Sequence, residues 1–139
     1  MDSKKTVIIL GSSSGIGSKI IKYFSKNAQV YLTYGKNKPV NFKRFNTIKL
    51  DLNNFKSLEK NLKKIKINNR KLIILNLAAT KIDKLTFNVT SKNLKETFNI
   101  NTFAFLKVIQ YFLPLMMKNK WGRIISFSST GGSAGEKGT

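Results

Sequence analysis

The stretch Thr6-Val-Ile-Ile-Leu-Gly-Ser-Ser-Ser-Gly-Ile-Gly17 constrains the fold more tightly than any other part of the chain. Val7 to Leu10 is an apolar, β-branched run of the length expected for a buried parallel strand. The run breaks at Gly11, glycine recurs at Gly15 and Gly17, and Ile16, Ile20 and Phe24 then fall at helical spacing. Strand, glycine-rich turn and helix in that order form the phosphate cradle of a dinucleotide-binding unit. Gly11 permits a tight exit from the strand, Gly15 lets backbone come close to a pyrophosphate, and Gly17 lets the helix pack against the sheet. The helix N-terminus contributes unpaired N–H groups and a partial positive charge. Ser12, Ser13 and Ser14 are expected to add hydroxyl donors around the same cavity. Glycines in a purely structural turn are the competing reading, and the flanking strand and helix weigh against it.

The rest of the chain alternates in the same way. Gln29 to Tyr34 is β-rich, Gly35 to Pro39 reads as a polar loop, and Thr47 to Leu50 as a short third strand running into Asp51. Asn53 or Asn54 caps a helix whose apolar residues Phe55, Leu58, Leu62 and Ile65 share one face. Lys71 to Asn76 is a fourth, continuously apolar strand, followed by a long connection from Ala78 to Thr90. Ser91 is expected to cap the next helix, with Glu96 to Met117 helical and Pro114 marking a kink or a turn boundary. Arg123 to Phe127 is a fifth strand, Thr130 to Thr139 a glycine-rich tail, and the first helix should end near Lys26-Asn27. Strands alternating with helices predict an α/β, Rossmann-type, doubly wound parallel sheet with right-handed crossovers, built as one domain over residues 1–139.

Composition narrows the chemistry. With no cysteine and no histidine, the chain can make neither a disulfide nor a thiolate or imidazole metal site, and no Ser-His-Asp triad. No metal is therefore expected. No apolar run in the sequence reaches the ~20 residues of a membrane span, nothing in Met1-Asp-Ser-Lys-Lys5 resembles a signal segment, and the expected location is cytoplasmic. The net charge of +20 invites a nucleic-acid reading. Against it, the lysines are scattered over every polar face and only Arg44, Arg70 and Arg123 carry the fork geometry that clamps phosphates and reads bases. A chain also rich in asparagine and isoleucine points to A/T-rich coding bias, so no nucleic-acid partner is expected.

Five features in order resemble the short-chain dehydrogenase/reductase family nearly end to end. They are the Gly11–Gly17 turn; Leu50-Asp51-Leu52 after the third strand; Asn76-Leu-Ala-Ala79 after the fourth; Phe98-Asn-Ile-Asn101-Thr; and Gly122-Arg-Ile-Ile-Ser-Phe-Ser-Ser129. The resemblance implies cofactor contacts from Gly11, Ser13, Ser14, Gly15, Ile16 and Gly17, from Asp51 and Leu52 beside the adenine, and from Asn76 and Ala78. It also implies catalytic roles for Asn101, holding a water in a proton relay, and for Ser129, bonding a substrate carbonyl or alcohol. Leu77 and Ala79 depart from the family's Asn-Asn-Ala-Gly, which weakens the expectation of polar contacts to the ribose and leaves backbone contacts and the small Ala78. The family's Tyr-x-x-x-Lys pair, the acid/base and its lysine partner, is due about a dozen residues after the serine. None of Tyr23, Tyr31, Tyr34 or Tyr111 stands in that context.

Residues 31–38 contain no acid to receive a ribose 2′-OH, and Lys36 in the turn can pair with a 2′-phosphate, so the expected cofactor is NADP rather than NAD. The expected function is the N-terminal, cofactor-binding part of an oxidoreductase moving hydride between NADP(H) and a small ketone or alcohol, with the sheet truncated after about five strands. The alternative is a non-catalytic nucleotide-binding module, complete as given. In the family the helix following Asn101 builds subunit contacts, so a homo-oligomer is expected of the full-length protein. The 139-residue chain expressed alone is predicted to aggregate or melt at low temperature, because a sheet ending at strand five exposes an edge and apolar surface. Thermal melts and size-exclusion chromatography check this, and a robust monomer with a high Tm favours the complete module.

Overall fold

The computed structural model describes residues 5–24, 28–39, 45–68 and 71–135. Five parallel strands, β1 (Lys5–Leu10), β2 (Ala28–Tyr34), β3 (Asn46–Lys49), β4 (Lys71–Asn76) and β5 (Arg123–Ser126), form one sheet in the order β3-β2-β1-β4-β5. The chain winds outward from β1 to β3, then crosses back to β4 and on to β5. The winding therefore reverses between β1 and β4, and this junction is the topological switch point of the doubly wound sheet.

Strand alternation divides the core in two. Ile8, Leu10, Tyr31, Leu72 and Ile74 face helices α2 (Phe55–Leu62) and α4 (Ala104–Lys118), meeting Leu58, Leu62, Ala104, Val108, Phe112 and Met116. Val7, Ile9, Val30, Leu32, Ile73 and Leu75 face α1 (Gly15–Phe24) and its Ile21. The central strands are buried on both sides, which is why their sequences read as continuous apolar runs. Tyr31 brings a polar tip into the first core, where its hydroxyl donates to the Lys66 carbonyl (2.9 Å) and accepts from the Lys66 amide (3.1 Å), pinning the segment after α2.

Local chemistry shifts several expected boundaries. Asn54 caps α2, its side chain accepting from the Ser57 amide at 3.0 Å, while Asn53 is held by Asp51 instead. The cap of α3 (Ser91–Phe98) is Thr90 rather than Ser91, because Thr90 and Asn93 exchange side-chain and backbone hydrogen bonds in a capping box. A π-helical segment, Asn99–Phe103, joins α3 to α4 without a break. Pro114 is not a turn boundary: α4 runs through it to Lys118, and the proline is exposed, where its missing N–H is least costly. The tail contains a single helical turn, α5 (Gly131–Ala134), and the expected end of α1 at Lys26-Asn27 and residues 136–139 of the tail lie outside the described residues.

The continuous helical run Ser91–Lys118, 28 residues, is apolar and long enough to cross a membrane by length and composition, which the run-by-run reading of the sequence missed. Ala104, Val108, Phe112 and Met116, spaced four apart, nonetheless lie buried against the sheet as a core stripe. The opposite side of α4 leaves Leu106, Leu113 and Met117 exposed, and β5 is exposed along its whole length. Phe112→Ala is expected to lower stability by about 3–5 kcal/mol in denaturant titration. Met117→Ala, at a position 69% exposed, is expected to change stability by about 0.5 kcal/mol or less.

Candidate functional site

The carboxyl ends of β1, β2, β3 and β4 are stitched together just beyond the strands. The Leu77 amide donates to the Leu10 carbonyl (3.0 Å), the Ser12 amide to Thr33 (2.9 Å) and the Leu50 amide to Tyr34 (2.9 Å). Four chain exits thus open at one edge around a cleft of about 520 Å³, which Gly11, Ser13, Ser14, Lys36, Asp51, Leu52 and Ala78 all help to line. Its volume falls within the range of small-molecule sites.

The glycines of the first turn divide by what surrounds them. At Gly11 φ is +71°, and a Cβ there would lie 2.7 Å from the Cα and amide nitrogen of Ala78. At Gly17 a Cβ would lie 2.6 Å from the Ser12 carbonyl oxygen, so the helix enters close against the turn. Around Gly15 there is no heavy atom within 4 Å of a Cβ position, and its φ is not positive. Protein packing explains Gly11 and Gly17 and leaves Gly15 without an internal reason.

Ser14 behaves as a helix cap, its Oγ accepting from the Gly17 amide at 3.0 Å, and the Ser18 amide bonds back to the Ser14 carbonyl. Among the described residues, the amides of Ser13, Gly15 and Ile16 have no hydrogen-bond partner. Three free N–H groups at a helix N-terminus, beside an open cradle, fit a diphosphate. Ser12 departs from expectation. It is fully buried, and both its amide and its Oγ donate to the Thr33 carbonyl, each at 2.9 Å, so it ties β1 to β2 and offers no hydroxyl to the cleft.

On the far side, Asp51 Oδ1 accepts from the Asn53 amide at 3.0 Å, folding the entry to α2 while its other oxygen stays exposed. Asn76 is 7% exposed and does not line the cleft; its Oδ1 accepts from the Ala78 amide at 3.2 Å and shapes the turn from beneath. Gly15, Ile16 and Gly17 lie at the rim in the first turn of α1 rather than among the lining residues. Asn101 sits in the π-helical segment and holds the backbone of Thr80 with both ends of its amide: Thr80 N donates to Oδ1 (2.7 Å) and Nδ2 donates to Thr80 O (2.9 Å). Thr80 and Ile100 reach the cleft and Asn101 itself does not. Ser129 is exposed beyond β5, its Oγ accepting from the Gly131 amide at 3.2 Å, and it too lies outside the cleft lining.

Sequence reasoning missed Asn37, Lys49, Asn53, Thr80, Glu96 and Ile100 as lining residues. Glu96 and Ile100, four apart on one helical run, carried a spacing signal; Lys49 carried none until its strand was registered against β2. No group of histidine, cysteine, aspartate and glutamate able to hold a metal occurs among the described residues.

The model of the short chain dehydrogenase family matches residues 5–139. The chain belongs to that family. It is 29% identical to the 3-oxoacyl-[acyl-carrier-protein] reductase FabG of Rickettsia typhi over 96% of this chain and 57% of the relative. A short chain dehydrogenase of Leptospira borgpetersenii with bound NAD+ superposes with a TM-score of 0.77 at 25% identity, over 94% of this chain and 54% of that one. ElxO with NADP bound shares the fold at a TM-score of 0.81 and 22% identity, over 97% and 59% of the two chains. The chain spans 36–57% of the length of the curated relatives it matches. The free amides and the open cradle lie at the carboxyl edge of this oxidoreductase-family fold.

Gly15→Ala is expected to leave the melting temperature unchanged or slightly raised, since alanine outranks glycine in a helix by about 0.5–1 kcal/mol. Gly17→Ala is expected to cost about 1–3 kcal/mol through its clash with the Ser12 carbonyl. Paired thermal and denaturant melts of the two variants separate the site glycine from the packing glycine.

Proposed function

We propose that this chain forms the NADP(H)-binding part of an oxidoreductase that transfers hydride between NADP(H) and a ketone or alcohol. The observation that carries the reading is Gly15: a position with open space where a side chain would stand, its own amide unpaired together with those of Ser13 and Ile16. In this reading the amides of Ser13, Gly15 and Ile16 hold the diphosphate, with Gly11 and Gly17 fixing the path of the turn. Asp51 and Leu52 border the adenine, and the turn shaped by Asn76 and Ala78 borders the ribose. Bound nicotinamide supplies the hydride donor or acceptor. Ser129 would hold the substrate oxygen, and Asn101 would brace the Thr80 loop through its paired hydrogen bonds while keeping one N–H and one lone pair for a relay water.

NADP is favoured over NAD by charge. No carboxylate stands at residues 31–38, and Lys36 is exposed on the cleft, where it can meet a 2′-phosphate as a point charge. The solved neighbours include both an NAD+ and an NADP complex, so the preference rests on this turn alone. A cytoplasmic location and a homo-oligomer using the apolar outer side of α4 complete the proposal.

A second reading, a nucleotide-binding module without turnover, is favoured by one observation: none of the four tyrosines lines the cleft. Calorimetry with NADPH and NADH decides the first point. Heat with NADPH, weaker heat with NADH, and none in Gly15→Asp are the expected results, the aspartate setting bulk and negative charge against the diphosphate. A folded chain that gives no heat with either nucleotide overturns the proposal. Loss of reduced-nicotinamide absorbance with a simple ketone then separates enzyme from binding module.

A further inference from the structure

We infer that Lys49 is a second determinant of specificity for the 2′-phosphate, acting with Lys36 from the neighbouring strand; the inference rests on the nucleotide-binding reading above. Both lysines line the same cleft but reach it by different routes. Lys36 lies in the exposed turn after β2, whereas Lys49 is the last residue of β3. Lys49 pairs in register with Tyr34, two residues before Lys36, and the bond from the Leu50 amide to the Tyr34 carbonyl (2.9 Å) fixes that alignment.

Alternation along β3 sets the direction. Ile48 and Leu50 both pack with the core on the α2 and α4 side, so Lys49 between them turns to the α1 side. That is the side of the glycine turn and the N-terminus of α1. Adjacent strands lie about 4.8 Å apart, so a lysine in the turn just after β2 and one at the end of β3 can converge on one phosphate. Both lysines are exposed, and neither forms an ion pair among the described residues. The acids on the cleft are Asp51 and Glu96, and neither is bridged to a lysine.

Lysine abundance by itself argues nothing in a chain of net charge +20. What singles out Lys49 is its register opposite the end of β2, its side of the sheet and its place on the cleft wall. A phosphate monoester near neutral pH carries about 1.5–2 negative charges and three acceptor oxygens. One exposed lysine neutralises part of that charge, and a solvent-exposed pair contributes little. Two ammonium groups approaching from adjacent strands match both the charge and the number of acceptors. In the free protein the two ammonium groups repel each other, and a bound 2′-phosphate relieves that repulsion where NADH does not, which favours NADPH.

The test is calorimetry with NADPH and NADH on the full chain, on Lys49→Gln, on Lys36→Gln, on the double variant and on Lys60→Gln, an exposed residue of α2 outside the cleft. Thermal melts verify that each variant is folded. Lys49→Gln is expected to weaken NADPH binding about two- to fivefold and to leave NADH binding unchanged. The double variant should lose more than either single one, and Lys60→Gln should match the parent. If the parent prefers NADPH and Lys49→Gln leaves the NADPH-to-NADH ratio unchanged, the role of Lys49 is overturned while the NADP reading stands. If the parent binds both nucleotides equally, the 2′-phosphate reading and Lys49 fall together; if it binds neither, the nucleotide site itself falls.

Discussion

The approach of Gly11 to Ala78 holds the carboxyl edge of the sheet in its working shape. The two turns that leave β1 and β4 lie so close that a methyl group would meet backbone at 2.7 Å, and the Leu77–Leu10 hydrogen bond locks the pair in place. Because these strands flank the reversal of winding, the contact decides where one turn ends and the other begins. The cleft opens between them, and the two halves of the sheet contribute opposite walls. The first turn supplies bare amides and the second a short bend ordered by Asn76. Widening the contact would move both walls at once.

Charge acts on this frame in a graded way. A helix N-terminus and unpaired amides give the rim of the cleft at the glycine turn a positive character that belongs to the backbone. Lys36, Lys49, Asp51 and Glu96 also line the cleft, so its wall carries charges of both signs. A dinucleotide presents both characters too, anionic phosphates and an adenine amino group that donates. The field of a basic chain speeds encounter with any anion, whereas the local arrangement of charges selects among them.

The far edge tells a different physical story. On β5, Ile124 and Ile125 are 41% and 42% exposed, and Phe127 just beyond is 51% exposed. Strand pairing with β4 organises this region, but little packs on either face of it. Ser129 hangs from the same exposed segment. In the role proposed for it, that hydroxyl needs a firmer seat than one backbone amide gives it. Asn101, by contrast, is rigidly placed, because two short hydrogen bonds to the backbone N–H and C=O of Thr80 fix both its position and its amide orientation.

Much of this was legible in the residues. The apolar runs of β1 and β4, the glycine spacing and the alternation of strands with helices specified a doubly wound sheet, since buried parallel strands and their crossovers leave few other solutions. The glycine turn pointed to Gly11, Ser13 and Ser14 and the family resemblance to Asp51, Leu52 and Ala78, and these line one cleft because strand ends and the turns after them gather at one edge. What sequence alone could not decide was which way individual side chains turn there. Ser12 reads like its serine neighbours, yet it points inward because the Thr33 carbonyl needs a donor. Thr90 rather than Ser91 caps α3 because Asn93 can answer it, and α4 passes through Pro114 because that proline faces solvent. Lys49 looks like any other lysine until β3 is set in register with β2. Local pattern fixes which elements form; the register between elements distant in sequence fixes which residues share a cavity, and only tertiary packing determines that register.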